Sequence, residues 1–176
     1  MAYLRNIVAV IRGNIKCTLW KIKHTYLIRF FSGVILTIEK SASVEMKRGV
    51  MIGRNSSIIV RKNAFLSMGE MSSINADCKI VCQNYISIGN NTIFGPNVLL
   101  YDHDHIFNSN GVKRNDFSKG KIIIGDNCWI GAGTIILKDT IIGNNCVIGA
   151  GSVIKGKIPS GMICVQKRES IINAIK

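Results

Sequence analysis

Residues 124 to 155 read IGDNCW-IGAGTI-ILKDTI-IGNNCV-IGAGSV-IK, and the fold turns on this stretch. Each group of six opens on isoleucine, at Ile124, Ile130, Ile136, Ile142, Ile148 and Ile154. Glycine follows in four of the groups, and the fifth position is small or β-branched: Cys128, Thr134, Thr140, Cys146 and Ser152. Neither a 3.6-residue helix nor a plainly alternating strand repeats every six residues, so the period points to a solenoid. In a hexapeptide parallel β-helix each unit is one short strand and a turn. The aliphatic points inward, and Gly or Asn takes the turn positions that need positive φ. Three units close a triangular coil of about 18 residues. Ile124 is then expected over Ile142, Ile130 over Ile148, Ile136 over Ile154 and Cys128 over Cys146. The fold class expected is an all-β solenoid, a parallel β-helix with a helical N-terminal cap and a short C-terminal helix.

The same frame extends upstream, less cleanly. Ile38, Val44 and Val50 are six apart, as are Ile52 and Ile58, and Met68, Ile74, Ile80 and Ile86 form another series. Between these sets the frame slips by two, which lengthened turns would absorb. From Ile88 the units IGNNTI and FGPNVL are regular, and counting in sixes reaches Ile124 after two coils of 18. The intervening residues 101–120, YDHDHIFNSNGVKRNDFSKG, keep the phase but lose the aliphatic ladder. They read as an excursion loop, the kind of segment on which a rigid scaffold carries function. The organisation predicted is a basic cap over 1–33, the β-helix over 34–160 and a tail over 161–176.

The 176 residues carry 23 Lys and Arg against 10 Asp and Glu, a net charge of +13, which asks for an anionic partner. No zinc-finger spacing, RNP signature or basic heptad accompanies the charge, so nucleic acid is not expected. The six cysteines follow no signal-peptide pattern, and reduced thiols acting as compact apolar residues are expected of a cytoplasmic chain. Within residues 1–31, Arg5, Arg12, Lys16, Lys21, Lys23 and Arg29 carry charge, and no acid appears before Glu39. Leu4, Ile7, Val8, Ile11 and Ile15 fall on one helical face. That face is expected to pack on the first coil as a cap, with peripheral contact to an anionic membrane, at its inner face, as a second use. No span is predicted.

The hexads, the loop after LYDHDH and the string KGKIIIGDNCWIGAGTIILKDTIIGNNCVIGAGSVI resemble the left-handed β-helix acyltransferases, in the branch of maltose, galactoside and polysaccharide O-acetyltransferases. The resemblance implies a homotrimer with active sites at subunit interfaces and acetyl-CoA in the groove between coils. It also implies a carbohydrate acceptor, such as a surface polysaccharide or its precursor, and no metal. A histidine of the excursion loop is the family's general base, which falls on His105, and the family's catalytic asparagine falls on Asn75. Imidazole suits that role because its pKa lies near neutrality. Asp77 and His103 fall on the acceptor side, and Asp102 and Asp104, which flank the histidines, could orient an imidazole or bind acceptor hydroxyls. Trp129, Gly131, Ala132, Gly133, Ala150 and Gly151 are implied along the pantetheine arm, with Lys155, Lys167 and Arg168 at the phosphates. The family's Tyr two residues before the asparagine is Ser73 here, and its GxPAK segment is replaced by VQKRE.

Rival functions include N-acylation of an amino sugar-nucleotide, O-acetylation of an antibiotic and a non-enzymatic scaffold. γ-Type carbonic anhydrases share the solenoid but need three zinc-binding histidines. The chain has only His24, His103 and His105, and His24 lies in the expected cap.

Overall fold

The protein, seen here in a computed structural model that describes residues 2–167 and 169, is a parallel β-helix of about six turns with one N-terminal helix, α1 (Ala2–Leu19). The β-helix winds left-handed, and its triangular section has three walls. The first wall stacks seven strands, from Lys23–His24 to Lys157–Ile158; the second stacks seven, from Arg29–Phe30 to Ile163–Cys164. The third stacks six, from Ile35–Ile38 to Val153–Ile154. Every strand pair in the walls is parallel and in register, so each wall carries ladders of like residues up its inner side.

The predicted stacks form. Ile124 pairs with Ile142, Ile130 with Ile148, and Ile136 with Ile154. The small fifth position has a second use beyond size. Cys128, Cys146 and Thr134 each donate a hydrogen bond from a buried Sγ or Oγ1 to a turn carbonyl of the next coil, those of Gly143, Pro159 and Gly149. A corner cannot satisfy that carbonyl through the wall ladder, so a short donor side chain does it. All six cysteines are free thiols. Burial pushes the Cys17 thiol up to about 11, and it raises Cys82 as well, helped by the Asp102 carboxylate. The left-handed turn positions are shared between asparagine, at Asn55, Asn63, Asn91, Asn97, Asn127 and Asn145, and glycine, as at Gly133 and Gly151, with Asp77 and Asp139 among the rest.

Coil length is not uniform. Neighbouring coils are offset by 22 residues at Lys23 and Glu45, 20 at Ser67 and Ser87, 18 at Asp126 and Asn144, and 16 at Asn144 and Ser160. The early coils are longer because two of their walls use four-residue strands that each bury two side chains, as in Ser57–Val60 (Ile58, Val60) and Phe65–Met68 (Leu66, Met68). The slip of two in the hexad frame is therefore an extra inward residue, not an extended turn. Ile88 also pairs directly with Ile124. The 36 residues between them make one coil rather than two, and the excursion takes the place of the other.

The N-terminal region departs from expectation in two ways. The first rung starts at Lys23, inside the segment read as cap, and the last described rung is Ile163–Cys164, inside the segment read as tail. Second, α1 does not pack through its aliphatic face. The side against the coil is the small-residue line Ala9, Gly13 and Cys17, while Leu4, Ile7, Val8, Ile11 and Ile15 are exposed. A Cβ at Gly13 would collide with the Ile28 carbonyl. So close an approach of helix to strand leaves no room for Ile or Leu in the seam. The expected C-terminal helix lies outside the described residues.

Candidate functional site

The excursion leaves the coil after the strand Leu99–Tyr101 and returns at Lys121–Ile124, at the corner between the third and first walls. It is a β-hairpin, with His103–Asn108 antiparallel to Gly111–Lys119. His103 faces Lys119, Asp104 faces Ser118 and His105 faces Phe117. The register then shifts between His105 and Ile106, so Ile106 faces Lys113 and residues 114–116 bulge out. A bulge bends its strand and re-aims the side chains beside it. His105 stands next to this one, exposed, with its ring 4.6 Å from that of Phe117.

Removing a coil corner for a hairpin strands the backbone N–H groups beneath it, and Asp102 resolves this. It is fully buried (0% exposed). Its Oδ1 accepts the amide of Gln83 at 2.8 Å, and its Oδ2 accepts those of Asn84 and Tyr85 at 2.8 and 2.9 Å, with the Cys82 thiol at 3.5 Å. One carboxylate thus replaces the carbonyls that a regular coil would have placed there. The amide of Gly120 donates to the carbonyl of Asp102, and Asn84 Nδ2 donates to the carbonyl of Gly120, which pins both ends of the hairpin. Asp102 Oδ1 also lies 3.2 Å from His103 Nδ1. A carboxylate only accepts, so Nδ1 carries the proton of this contact, and in the neutral ring that leaves the lone pair on Nε2. The His103 side chain is 13% exposed, edged by Tyr101 and Phe117. Lys138, on the coil above, holds the hairpin through Ser118 Oγ at 2.6 Å and Asp104 Oδ2 at 3.3 Å.

Below the hairpin lies a polar cleft of about 450 Å³ between Glu39, Arg61, Lys62 and Gln83 of the coils and Asn115, Asp116 and Lys119 of the excursion, with Phe117 shared with the histidines. Arg61 bonds Glu39 at 2.6 Å and the Lys62 amide bonds it at 2.9 Å, which together hold the Glu39 carboxyl below the usual range. Nothing in the hexad pattern marks Glu39, Arg61 and Lys62, because they come together only through stacking at sequence separations of 22 and 23.

The other residues of interest stand at a different corner, between the second and third walls. Asn75, Ala76 and Asp77 lie there, with Gly95–Asn97, Gly131–Gly133 and Gly149–Gly151 above them, linked by backbone bonds from Asn97 to Ala76, Gly133 to Pro96 and Gly151 to Ala132. A Cβ at Gly131 would lie 2.5 Å from the amide nitrogen of Ala150, so these turns stack at close range. Their small side chains leave a smooth corner on which an extended chain can lie. Trp129, 54% exposed, stands on the adjoining wall between Ile93 and Val147. Asn75 is exposed, with its Oδ1 on the amide of Ala76, and Asp77 is exposed with φ of 60°. Lys155 is exposed past the last strand of the third wall. Lys167 is exposed beyond Gln166, whose side chain pairs with the Val153 backbone, while Arg168 lies outside the described residues. Among the described residues no His, Cys, Asp and Glu cluster fits a metal. The structure thus gathers His103, His105 and Asp102 at one corner, and Asn75, Asp77 and the small turns at another.

Residues 121–156 match the family of bacterial transferase hexapeptide (six repeats) proteins. A galactoside O-acetyltransferase of Lactococcus lactis is 34% identical over 76 residues, 43% of this chain and 36% of the relative. The solved structure of the polySia-specific acetyltransferase NeuO is 26% identical with a TM-score of 0.54, covering 79% of this chain and 65% of its own. A hexapeptide-repeat acetyltransferase of Vibrio cholerae complexed with acetyl coenzyme A shares the fold at a TM-score of 0.62 and 19% identity, over 82% of this chain and 72% of its own. The matched segments span only 27% to 36% of the length of the curated relatives. With the six-residue period and the three-walled coil on the page, residues 121–156 carry the repeats of the hexapeptide transferase family, and the chain is similar in sequence and fold to acetyltransferases built on them.

Proposed function

We propose that the protein transfers the acetyl group of acetyl-CoA to a carbohydrate hydroxyl, in a site completed between two chains of a trimer. The observation that carries this reading is the division of the candidate site residues between two edges of the β-helix. Two different patches on each chain call for a heterologous contact, and a closed ring is the arrangement in which every such contact is satisfied. The corner of Gly131–Gly133, Ala150 and Gly151, flanked by Trp129, suits the pantetheine arm, with Lys155 and Lys167 near its end for the phosphates. Asn75 and Asp77 of that corner would face the acceptor held by the neighbour's cleft. The thioester supplies an activated acyl carbon and a good leaving group. His105 takes the proton of the acceptor hydroxyl as its oxygen attacks that carbon. A backbone N–H holds the oxyanion of the tetrahedral intermediate, and the imidazolium returns its proton to the departing thiolate.

The bulge beside His105 and its exposure support it as the base. The Asp102 bond favours His103 as a second reading, since it fixes the tautomer with Nε2 free. Asp102 itself, buried and fully engaged, fits anchoring the hairpin and orienting the His103 imidazole better than binding an acceptor hydroxyl. The test is thiol release from acetyl-CoA with galactosides, polySia and an amino sugar-nucleotide as acceptors. His105→Ala is expected to lower turnover about 10²–10⁴-fold. Equal rates for wild type and His105→Ala would reject His105, and a loss confined to His103→Ala would move the role there. Activity only on the amino sugar-nucleotide would make the reaction N-acylation.

A further inference from the structure

The exposed side of α1 is an apolar surface that packing on the first coil does not explain. At about 100° per residue, Leu4, Val8, Ile11 and Ile15 lie opposite Gly13, and they are 66%, 41%, 54% and 55% exposed. A helix on a soluble coil normally turns such residues inward; here the Gly13 seam holds them out. Two apolar grooves of about 440 and 420 Å³ flank the helix, one between Ile7, Ile11, Leu27 and Met71, the other between Leu4, Val8 and Phe31. Trp20 and Tyr26, both exposed, stand where the helix meets the first rung. Amphipathic aromatics of this kind favour the boundary between headgroups and acyl chains.

We infer that this face docks α1 and the first coil onto an anionic lipid surface, with α1 lying in the interfacial plane. Charge selects lipid over a second copy of the chain. Arg5, Arg12 and Lys16 line one flank of the apolar face, Lys21, Lys23 and Arg29 follow in the turn and first rungs, and residues 1–38 contain no acid. Two such faces brought together would oppose cation to cation, whereas anionic headgroups neutralise the rim while the aliphatic side chains enter the acyl boundary. Among the described residues no helix is long and apolar enough to cross a membrane, so α1 lies on the surface rather than spanning it. The inference does not depend on the acyl-transfer reading.

The test is flotation of the full chain with phosphatidylcholine vesicles, with and without phosphatidylglycerol. Wild type is expected to float only with the anionic vesicles, and less so at high salt, where screening is stronger. The triple variant Val8→Ser, Ile11→Ser, Ile15→Ser should bind at least about tenfold more weakly with its melting temperature and solution mass unchanged. Arg5→Gln with Lys21→Gln should also weaken binding and serves if the triple variant does not fold. Failure of wild type to float, or equal flotation of the folded variants, would overturn the inference. A fall in solution mass of the triple variant would instead assign the face to a second copy and overturn it too.

Discussion

Asp102 shows how one side chain makes an interruption of the ladder affordable. Its carboxylate accepts the amides of Gln83, Asn84 and Tyr85, groups that would otherwise be buried without partners. Asp102→Asn turns one acceptor oxygen into a donor facing N–H groups, and an unsatisfied buried group costs about 1–3 kcal/mol. With two amides affected, the variant is expected to lose about 3 kcal/mol and melt roughly 10 °C lower. An unchanged melting curve would remove Asp102 from this role. None of this was readable in the string YDHDH, where the first aspartate looks no different from the second. The difference is depth: Asp102 takes the inward place above Cys82, whereas Asp104, partly exposed, lies within reach of Lys138.

At the scale of elements, the ladders from Ile88 onward were legible because, Lys121–Ile124 apart, each strand buries one large apolar residue and leaves a clean period of six. The early coils blurred it because strands such as Ser57–Val60 bury two residues each, so two superposed series appear. The excursion was legible as a loss of pattern, but not as a hairpin, since its exposed residues carry no inward face to alternate. The helix α1 was legible and its packing side was not. Hydrophobic periodicity marks where apolar residues lie, and says nothing of whether a small-residue line on the other side will take the contact. Gly13→Val tests that seam: the new side chain meets the Ile28 carbonyl and should lift α1 from the coil. Proteases should then cut residues 1–22 several-fold faster, as an opened segment allows. A cleavage rate equal to wild type would mean that the seam does not hold the helix.

At the scale of the whole molecule, a β-helix is a stack whose corners stay separate. His105 and the Asn75 corner stand on different edges of one prism, and among the described residues no loop carries one to the other. If the account is right, a site needs one chain's excursion and another's turn corner. The most direct test mixes two inactive variants, His105→Ala and Asn75→Ala, after dissociation and reassembly, and follows thiol release from acetyl-CoA. A shared site predicts recovery to about a quarter of wild-type activity, because random assembly pairs two intact corners in about a quarter of contacts. A mixture as inactive as either parent, despite proven exchange of chains, would contradict a site built between neighbours.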